Sequence, residues 1–587
     1  MKKLFWILSI SFLAFLQTAC ETKVAPKQQD STPIAQNEDW KQLTLREKIG
    51  QTMMVLSDYK THKEIGGGSL DSFFVKYPVG GLFIAEWYRE NYKPKKQMPY
   101  YESVPKMIQE YNAAAPFALF ISEDFEKGAG YYYDNCTKTP AIMALGAANN
   151  PELAYAYGKV VSQESRALGF NWLLHPVADL NMNPLHPLII ERAISDKYEI
   201  ALPILREQAR AMKNCGIIST IKHFPGDGAT IRDQHLITSA NNLSMAEWRS
   251  TFGKMFDALI KDEVPSIMIG HIQFPAYQRD SIDGVLPPAT LSKDIMTKLL
   301  KNEMGYRGVL MSDAMNMGGA MGYYPSVFEA SVQSFVAGCD MILWPDLAFM
   351  DTVEARILRG EIPMSRLDDA VERIWALREK YGFLEKTEVV TPLPADHASY
   401  TEEKMTALAE SAVTVIQDKN NDIPLDTQNI KKIMLINISY VDSFVVHGLP
   451  KRDRKKDFEI IQKELIKKGF DVSLELDFHL WNGHELDKYD KFIVCFENSF
   501  FDPVGSPFLK GREAFFLWKV KTLPKEKVIA VSFSNPYYNT FYLGTNPLLI
   551  NAYSRDAFMQ KAVVKVLMGD VKATAKSPVD LWNPIMK

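Results

Sequence analysis

The stretch Ile221–His235 reads I-K-H-F-P-G-D-G-A-T-I-R-D-Q-H and holds a dense set of groups able to grip a polar ligand or move a proton. An apolar run, Gly216–Ile221, leads into it and reads as a buried strand. Lys222 and His223 stand at that strand's end, and Pro225, Gly226 and Gly228 break regular structure. A loop carrying Asp233 and His235 follows. In locally extended backbone a spacing of two puts both side chains on one side. The carboxylate then holds one ring nitrogen and leaves the other to move a proton. Asp-x-His taken alone is equally compatible with a solvated loop pair. The other chemical group is Asp313, in Gly-Val-Leu-Met-Ser-Asp-Ala-Met-Asn-Met. A carboxylate just past an apolar run suits attack on a carbon of a bound ligand, and suits a helix N-cap as well.

These groups need a scaffold that brings distant segments together. Short apolar runs alternate with longer helical patterns over the first two thirds of the chain. The expected strands are Gly81–Ala85, Phe117–Ser122, Asn171–Pro176, Gly216–Ile221, Ser266–Gly270, Gly308–Ser312 and Met341–Trp344. The expected helices include Leu43–Leu56, with Thr44 as N-cap and Glu47 three residues on. Others are Pro151–Leu168, Ile200–Asn214, Ala246–Lys261, Ser292–Asn302, Val327–Ala337 and Met364–Tyr381. This alternation predicts an α/β fold with an N-terminal (β/α)8 TIM-like barrel over 40–385. Asp124, Asp179, Lys222 with His223, His271 and Asp313 all fall just past strand ends. In a barrel those ends converge on one mouth.

The ordered segments resemble the β-N-acetylhexosaminidase branch of family-3 glycoside hydrolases. Its signature is K-H-F-P-G-H-G followed by D-S-H; here Asp227 replaces the second His and Gln234 the Ser. Gly308–Met317 is similar to the G-hydrophobic-S-D-x-x-M context of the family's nucleophile. The resemblance implies a retaining exo-β-N-acetylhexosaminidase with Asp313 as nucleophile, His235 as acid/base and Asp233 as its orienter. It also implies sugar-binding roles for Lys222 and His223. Asp124, in Ser-Glu-Asp-Phe-Glu-Lys-Gly, resembles the Asp of a D-x-E-G-G element that accepts from the terminal sugar's hydroxyls. Lys127 replaces the first Gly of that element, and Tyr132 stands where an Arg is usual. Arg192, in Ile-Glu-Arg-Ala-Ile-Ser-Asp, resembles the Arg of D/E-R-x-F-G-x-D, with Ile194 among the departures. It is a bidentate donor to sugar on that reading and a salt-bridge partner on the plainer one. Asp179 and His271 are expected to brace the site. Three alternatives stand beside this reading: a β-glucosidase or β-xylosidase of the same family, transfer to phosphate instead of water, and a surface glycan-binding protein without turnover, motivated by the departures at Asp227, Lys127, Tyr132 and Ile194.

Composition narrows the class. The chain has 587 residues, too many for one ordinary domain. It is 47% apolar and 24% charged, as globular proteins are. A net charge of −4 provides no basic footprint for nucleic acid. Met1-Lys2-Lys3, the apolar Leu4–Leu16 and Gln17-Thr18-Ala19-Cys20 read as a signal peptide over 1–20 with a lipobox-like end. Cys20 is then the lipidated first residue, with ordinary signal cleavage near Ala19 as the alternative; the protein is exported on either reading, and 21–39 is a flexible tether. Cys136, Cys215, Cys339 and Cys495 fit no metal spacing, and Cys215, Cys339 and Cys495 are expected as buried thiols. No metal or cofactor is implied; the partners are a glycoside substrate and a membrane reached through Cys20. A linker is expected over 386–402. Over 403–587 a smaller α/β sandwich domain follows. Its expected strands are Lys432–Ile438, Asp471–Leu476, Lys491–Cys495, Val528–Phe533 and Leu548–Ala552, with helices Phe458–Lys468 and Asp556–Met568.

Overall fold

The computed structural model describes residues 39–85, 100–386, 389–439, 453–478, 481–497, 507–509 and 511–582. The expected signal peptide with Cys20, and all of the tether but its last residue, lie outside the described residues.

Eight parallel strands form the first sheet. They are β1 (Met53–Leu56), β2 (Gly81–Phe83), β3 (Phe120–Glu123), β4 (Trp172–Leu173), β5 (Ile218–Phe224), β6 (Ser266–Ile269), β7 (Val309–Ser312) and β8 (Ile342–Leu343). Their order is β8-β1-β2-β3-β4-β5-β6-β7, and a bridge between Met311 and Met341 brings the ends together as a barrel. Side chains alternate along each strand. Met54, Phe83, Phe120, Trp172, Ile218, Met268, Val309 and Met311 point inward and fill the barrel. Val55, Leu82, Ile121, Leu173, Ile267, Leu310 and Ile342 point outward beneath the helices. Fully burying one such side chain contributes roughly 1.5–3 kcal/mol. Below the plug, the Arg378 guanidinium lies 4.2 Å from the Phe120 ring centroid and donates to Gln51, Gly80 and Phe383.

Several expectations need correcting. Thr44 and Glu47 do form a capping box, but helix α1 runs only over Leu45–Gln51. Met53–Leu56 is strand β1, because pairing with β8 and β2 overrides its helical period. Strand β5 reaches Phe224, so Lys222 and His223 lie within it, where the ladder to β6 shifts register between Ile221 and Phe224. Ala246–Lys261 is two helices, Met245–Ser250 and Phe252–Lys261, separated by Thr251 at φ −123° and ψ −99°. Asp294–Glu303 winds as a π-helix. The helices Pro151–Leu168, Val327–Ala337 and Met364–Tyr381 stand as expected. Cys339 and Cys495 are buried thiols, whereas Cys215 is half-exposed.

The second domain is a six-stranded sheet with an apolar core on each face. Its strands are β9 (Thr414–Asp418), β10 (Lys432–Ser439), β11 (Asp471–Glu475), β12 (Lys491–Glu497), β13 (Val528–Ser532) and β14 (Leu548–Asn551). The unexpected member is β9, which pairs antiparallel to β14 at the sheet's edge. The expected linker is only partly irregular: a helix, His397–Ala412, begins inside it. Its first residue is held by Gln163 and Glu164 of the helix Pro151–Leu168, at 3.0 and 3.2 Å. The barrel helix Ile142–Ala148 also serves the second domain: Met143, Ala144 and Ala147 belong to that domain's core.

Candidate active site

Asp313 emerges from the end of β7, where its N–H donates to Ile269 O of β6 at 2.9 Å. Its Oδ1 accepts from Ala314 N at 2.8 Å. Turns follow rather than a helix, so the helix N-cap reading of Asp313 falls. Its Oδ2 lies 3.8 Å from His223 Nε2. Burial opposes ionisation of this carboxyl, but His223, His271, Lys222 and His235 outweigh it and hold the group below its ordinary value. An ionised carboxylate at the barrel mouth is the state a nucleophile requires.

His223 is aimed by Asp179. The carboxylate takes the His223 backbone N–H at 3.2 Å and lies 2.6 Å from Nδ1, which leaves Nε2 toward Asp313. The same Asp179 accepts from Asp227 N at 2.7 Å. Lys222, beside it on β5, sends Nζ to Asp124 and Glu126, both at 2.7 Å. Glu126 is gripped by Arg192 through Nε and Nη2, both at 2.8 Å. Two cations thus share two carboxylates around one buried centre. Burial works against the Glu126 charge, yet Arg192 and Lys222 hold its carboxyl well below the usual range. Burial likewise opposes the Lys222 charge, and Asp124 and Glu126 more than compensate. Asp124 keeps 38% of its side chain exposed, so it is the member of the cluster that faces the mouth. What Arg192 grips is Glu126, a residue the motif reading quoted but gave no role. Its two-residue spacing from Asp124 was the available signal.

The segment after β5 turns at Gly226 and Gly228, with φ of 118° and 96°. A Cβ at either would strike Phe252 or Leu180. Between them Asp227 meets His186 Nε2 at 2.9 Å. The other ring nitrogen of His186 accepts from Leu188 N and Ile189 N, so Nε2 carries the proton and donates to Asp227. The other departures are absorbed as well. Lys127 pairs with Glu191 at 3.2 Å, Tyr132 lies against Phe125, and Ile194 is fully buried.

The loop then brings its pair together. Asp233 Oδ1 accepts His235 N at 2.9 Å and lies 2.9 Å from His235 Nδ1. Burial disfavours the Asp233 charge, but its hydrogen bonds with His235 hold the carboxyl low. With Nδ1 given to the carboxylate, Nε2 is the nitrogen left to exchange a proton. Asp233 is buried, and 40% of the His235 side chain is exposed. Three hydrogen bonds fasten this loop to the ends of β6 and β7. Gln234 Oε1 takes His271 N at 2.9 Å, Gly318 N donates to His235 O at 2.9 Å, and Gly319 N to Gln234 O at 3.0 Å. His271 is itself fixed, with Nδ1 2.8 Å from Thr290 Oγ1 and Nε2 2.9 Å from Ala314 O. Asp179 and His271 therefore brace. Asp313, His223, Lys222, Asp124 and Arg192 form one connected set, and the Asp233–His235 pair is tied to the segment following Asp313. Among the described residues no group of three or more His, Cys, Asp or Glu side chains is placed to hold a metal.

The chain and its fold have matches among known proteins. Residues 28–377 match the model of the glycosyl hydrolase family 3 N-terminal domain. A β-N-acetylglucosaminidase/β-glucosidase of Cellulomonas fimi is 28% identical over 505 residues, covering 81% of this chain and 86% of that protein. A glycoside hydrolase family 3 β-N-acetylglucosaminidase from Paenibacillus sp. str. FPU-7 superposes with a TM-score of 0.76 at 25% identity, covering 92% of this chain and 99% of that one. A β-glucoside phosphorylase bound to 2FGlc superposes with a TM-score of 0.77 at 25% identity, covering 94% and 96%. Fold, site and matched span together place the chain in glycosyl hydrolase family 3, as a glycoside hydrolase built on a TIM-like barrel with a second α/β domain.

Proposed function

We propose that the protein is an exo-acting, retaining β-N-acetylhexosaminidase that removes terminal β-linked N-acetylglucosamine from cell-wall or chitin-type glycans. The observation that carries this is the Asp233–His235 pair, fastened by its own loop to the segment leaving Asp313. In the first step an Asp313 oxygen attacks C1 of the sugar. The bond from C1 to the leaving oxygen breaks, and protonated His235 donates its proton to that oxygen. Asp233 stabilises the imidazolium before transfer. In the second step neutral His235 takes a proton from water, the hydroxyl attacks C1, and the ester to Asp313 is released as carboxylate. A neutral imidazole does this without placing a second anion beside the ester. Asp124 and Lys222 hold the hydroxyls at the sugar's far end, His223 sits near the reacting carbon, and Arg192 keeps Glu126 in place. The names of the Cellulomonas fimi and Paenibacillus relatives support the sugar assignment.

The test is a panel of aryl β-N-acetylglucosaminide, β-glucoside and β-xyloside, assayed on the mature protein and on Asp313→Ala. Preferred release from the N-acetylglucosaminide is expected. Preference for the glucoside or xyloside would select the alternative hydrolase reading, and binding without any turnover the glycan-binding one. The likeness to a β-glucoside phosphorylase favours a second reading, transfer to phosphate. Running the panel with and without inorganic phosphate, and identifying the sugar product, separates transfer from hydrolysis. We further propose export and membrane anchoring through Cys20. Substituting Cys20→Ala should move the protein from the membrane fraction to the soluble one, and unchanged fractionation would reject the anchor.

A further inference from the structure

The mouth of the barrel is chemically lopsided. Among the described residues, the charged and imidazole groups of the site come from the ends of β3 through β7: Asp124, Asp179, Lys222 with His223, His271 and Asp313. The remaining arc, β8-β1-β2, is adjacent to β7 in the ring. Its strand ends carry Trp344, Leu56 and Phe83–Ala85, and the acids just beyond them, Asp58 and Asp346, accept from the N–H groups of Thr61 and Ala348 at the starts of the helices that follow.

Trp344 holds an unusual backbone. On β8, Met341 and Leu343 face the barrel interior and Ile342 faces the helices. Regular alternation would send residue 344 outward. Trp344 has a φ of +57°, a conformation that a bulky side chain adopts only when its surroundings compel it. The result is that its ring returns to the interior cluster, against which Leu56 and Met317 also pack. It stands edge-to-face on Phe83, with centroids 5.1 Å apart and planes at 73°. Phe83 is fully buried and the Trp344 indole half-buried, so of this pair the indole is the more exposed, at the β8 side of the mouth. That side is level with the reaction centre: Ser312 Oγ accepts from Leu343 N at 3.0 Å, and Met315 N donates to Leu343 O at 3.3 Å.

A hexopyranose has matching sides. On the reading under Proposed function, C1 lies at Asp313, the far hydroxyls meet Asp124 and Lys222, and the 2-acetamido group lies toward the Asp233–His235 loop. The edge left over is O5–C5–C6. We propose that Trp344 is the apolar wall against which this C5–C6 edge rests, and that it makes the site select hexosides over pentosides. The difference is a hydroxymethyl group, so contact with its one carbon is expected near the low end, about tenfold in kcat/KM, of what a methylene gives in an apolar pocket.

The experiment uses the full chain, with Trp344→Phe and Trp344→Ala, and two readouts. The first is kcat/KM for aryl β-N-acetylglucosaminide, β-glucoside and β-xyloside. Trp344→Ala should lower the two hexosides by about tenfold or more and the xyloside by much less, with Trp344→Phe between. Equal loss on all three substrates would mean a structural role and overturn the proposal. A change confined to the acetamido-to-glucoside ratio would place the wall at the other edge and overturn it as well. The second readout is tryptophan fluorescence during titration with N-acetylglucosamine and with xylose. N-acetylglucosamine should perturb the wild type more than xylose does, and this difference should vanish in Trp344→Phe. Its persistence there would overturn the wall. A wild type that binds with the Trp344 signal but turns over nothing would reject the hydrolase reading and leave the wall standing.

Discussion

Asp313 and Glu126 are two buried carboxylates kept ionised by partner sets that share Lys222. Asp313 is held low mainly by imidazoles and Lys222, Glu126 by Arg192 and Lys222. Asp313→Ala removes the proposed nucleophile, and kcat is expected to fall by on the order of 10^4-fold or more. His235→Ala should cost about 10^2 to 10^4-fold, because the pocket and Asp313 remain. Single-turnover assays that find Asp313→Ala within tenfold of wild type would remove Asp313 from the chemistry. Glu126 belongs to a different kind of test. Its depressed carboxyl contributes stability that is present in full above the unfolded value, roughly pH 4, and is lost as pH falls toward the folded value. Thermal unfolding of the wild type should therefore steepen in its pH dependence below roughly pH 4. Glu126→Gln should show a shallower slope over that window. It should also be less stable at neutral pH by about 3–5 kcal/mol, since Arg192 and Lys222 lose a buried partner. A mutant slope equal to the wild type's would mean that Glu126 is not the group responsible.

The loop from Gly226 to Ala240 is an element whose ends are pinned at points far apart in sequence. Asp227, braced by His186, also accepts from Ser239 Oγ at 3.1 Å, so one carboxylate gathers both ends. The middle is held by Gln234 and by the backbone of Gly318 and Gly319. A Cβ on Gly319 would lie 2.6 Å from Gln234 O and 2.7 Å from His271 Cβ. Gly319→Ala should therefore lift the loop off and lower kcat by at least tenfold, on the order of 1.4 kcal/mol in the barrier. Global stability should change little, because the loop lies outside the plug. Unchanged kcat, measured beside thermal unfolding, would show that the latch does not govern the dyad.

At the level of the molecule, the two domains share core. The barrel helix Ile142–Ala148 buries Met143, Ala144 and Ala147 in the second domain, and Ala141 N donates to Ser554 Oγ at 2.9 Å. Near the chain's end, Asp580 N donates to Asp196 of the barrel at 2.8 Å. A chain cut after residue 385 would expose that apolar face and lose the helix His397–Ala412 against the barrel. Such a fragment is expected to aggregate or to unfold well below the full chain's midpoint. A soluble 385-residue fragment with wild-type turnover would show that the second domain is dispensable. Adding residues 386–412 should not rescue it, because the second core would still be missing.

Local pattern was enough for much of this protein. Helices with strong period and clean caps, such as Pro151–Leu168 between Asn150 and Gly169, need only their own residues. The grouping of the proposed site residues was legible because their types and spacing match a known signature, and because polar residues past successive apolar runs must meet if the runs close into a barrel. Pairing between distant segments was not legible. Met53–Leu56 carries a helical period and becomes a strand only because β8 and β2 flank it. Thr414–Asp418 becomes an edge strand only because β14 offers it a partner. The same holds within the site. Glu126 is marked in the sequence only by its spacing from Asp124, and its part appears when Arg192 and Lys222 close on it from two other segments. Asp227, out of place as a motif letter, is a sound choice once His186 is beside it. Trp344 looks like one more apolar residue until its left-handed backbone returns the ring to the barrel interior, against Phe83. Propensity and capping act over a few residues and are written in them, whereas burial and ion pairing depend on neighbours that only the folded chain supplies.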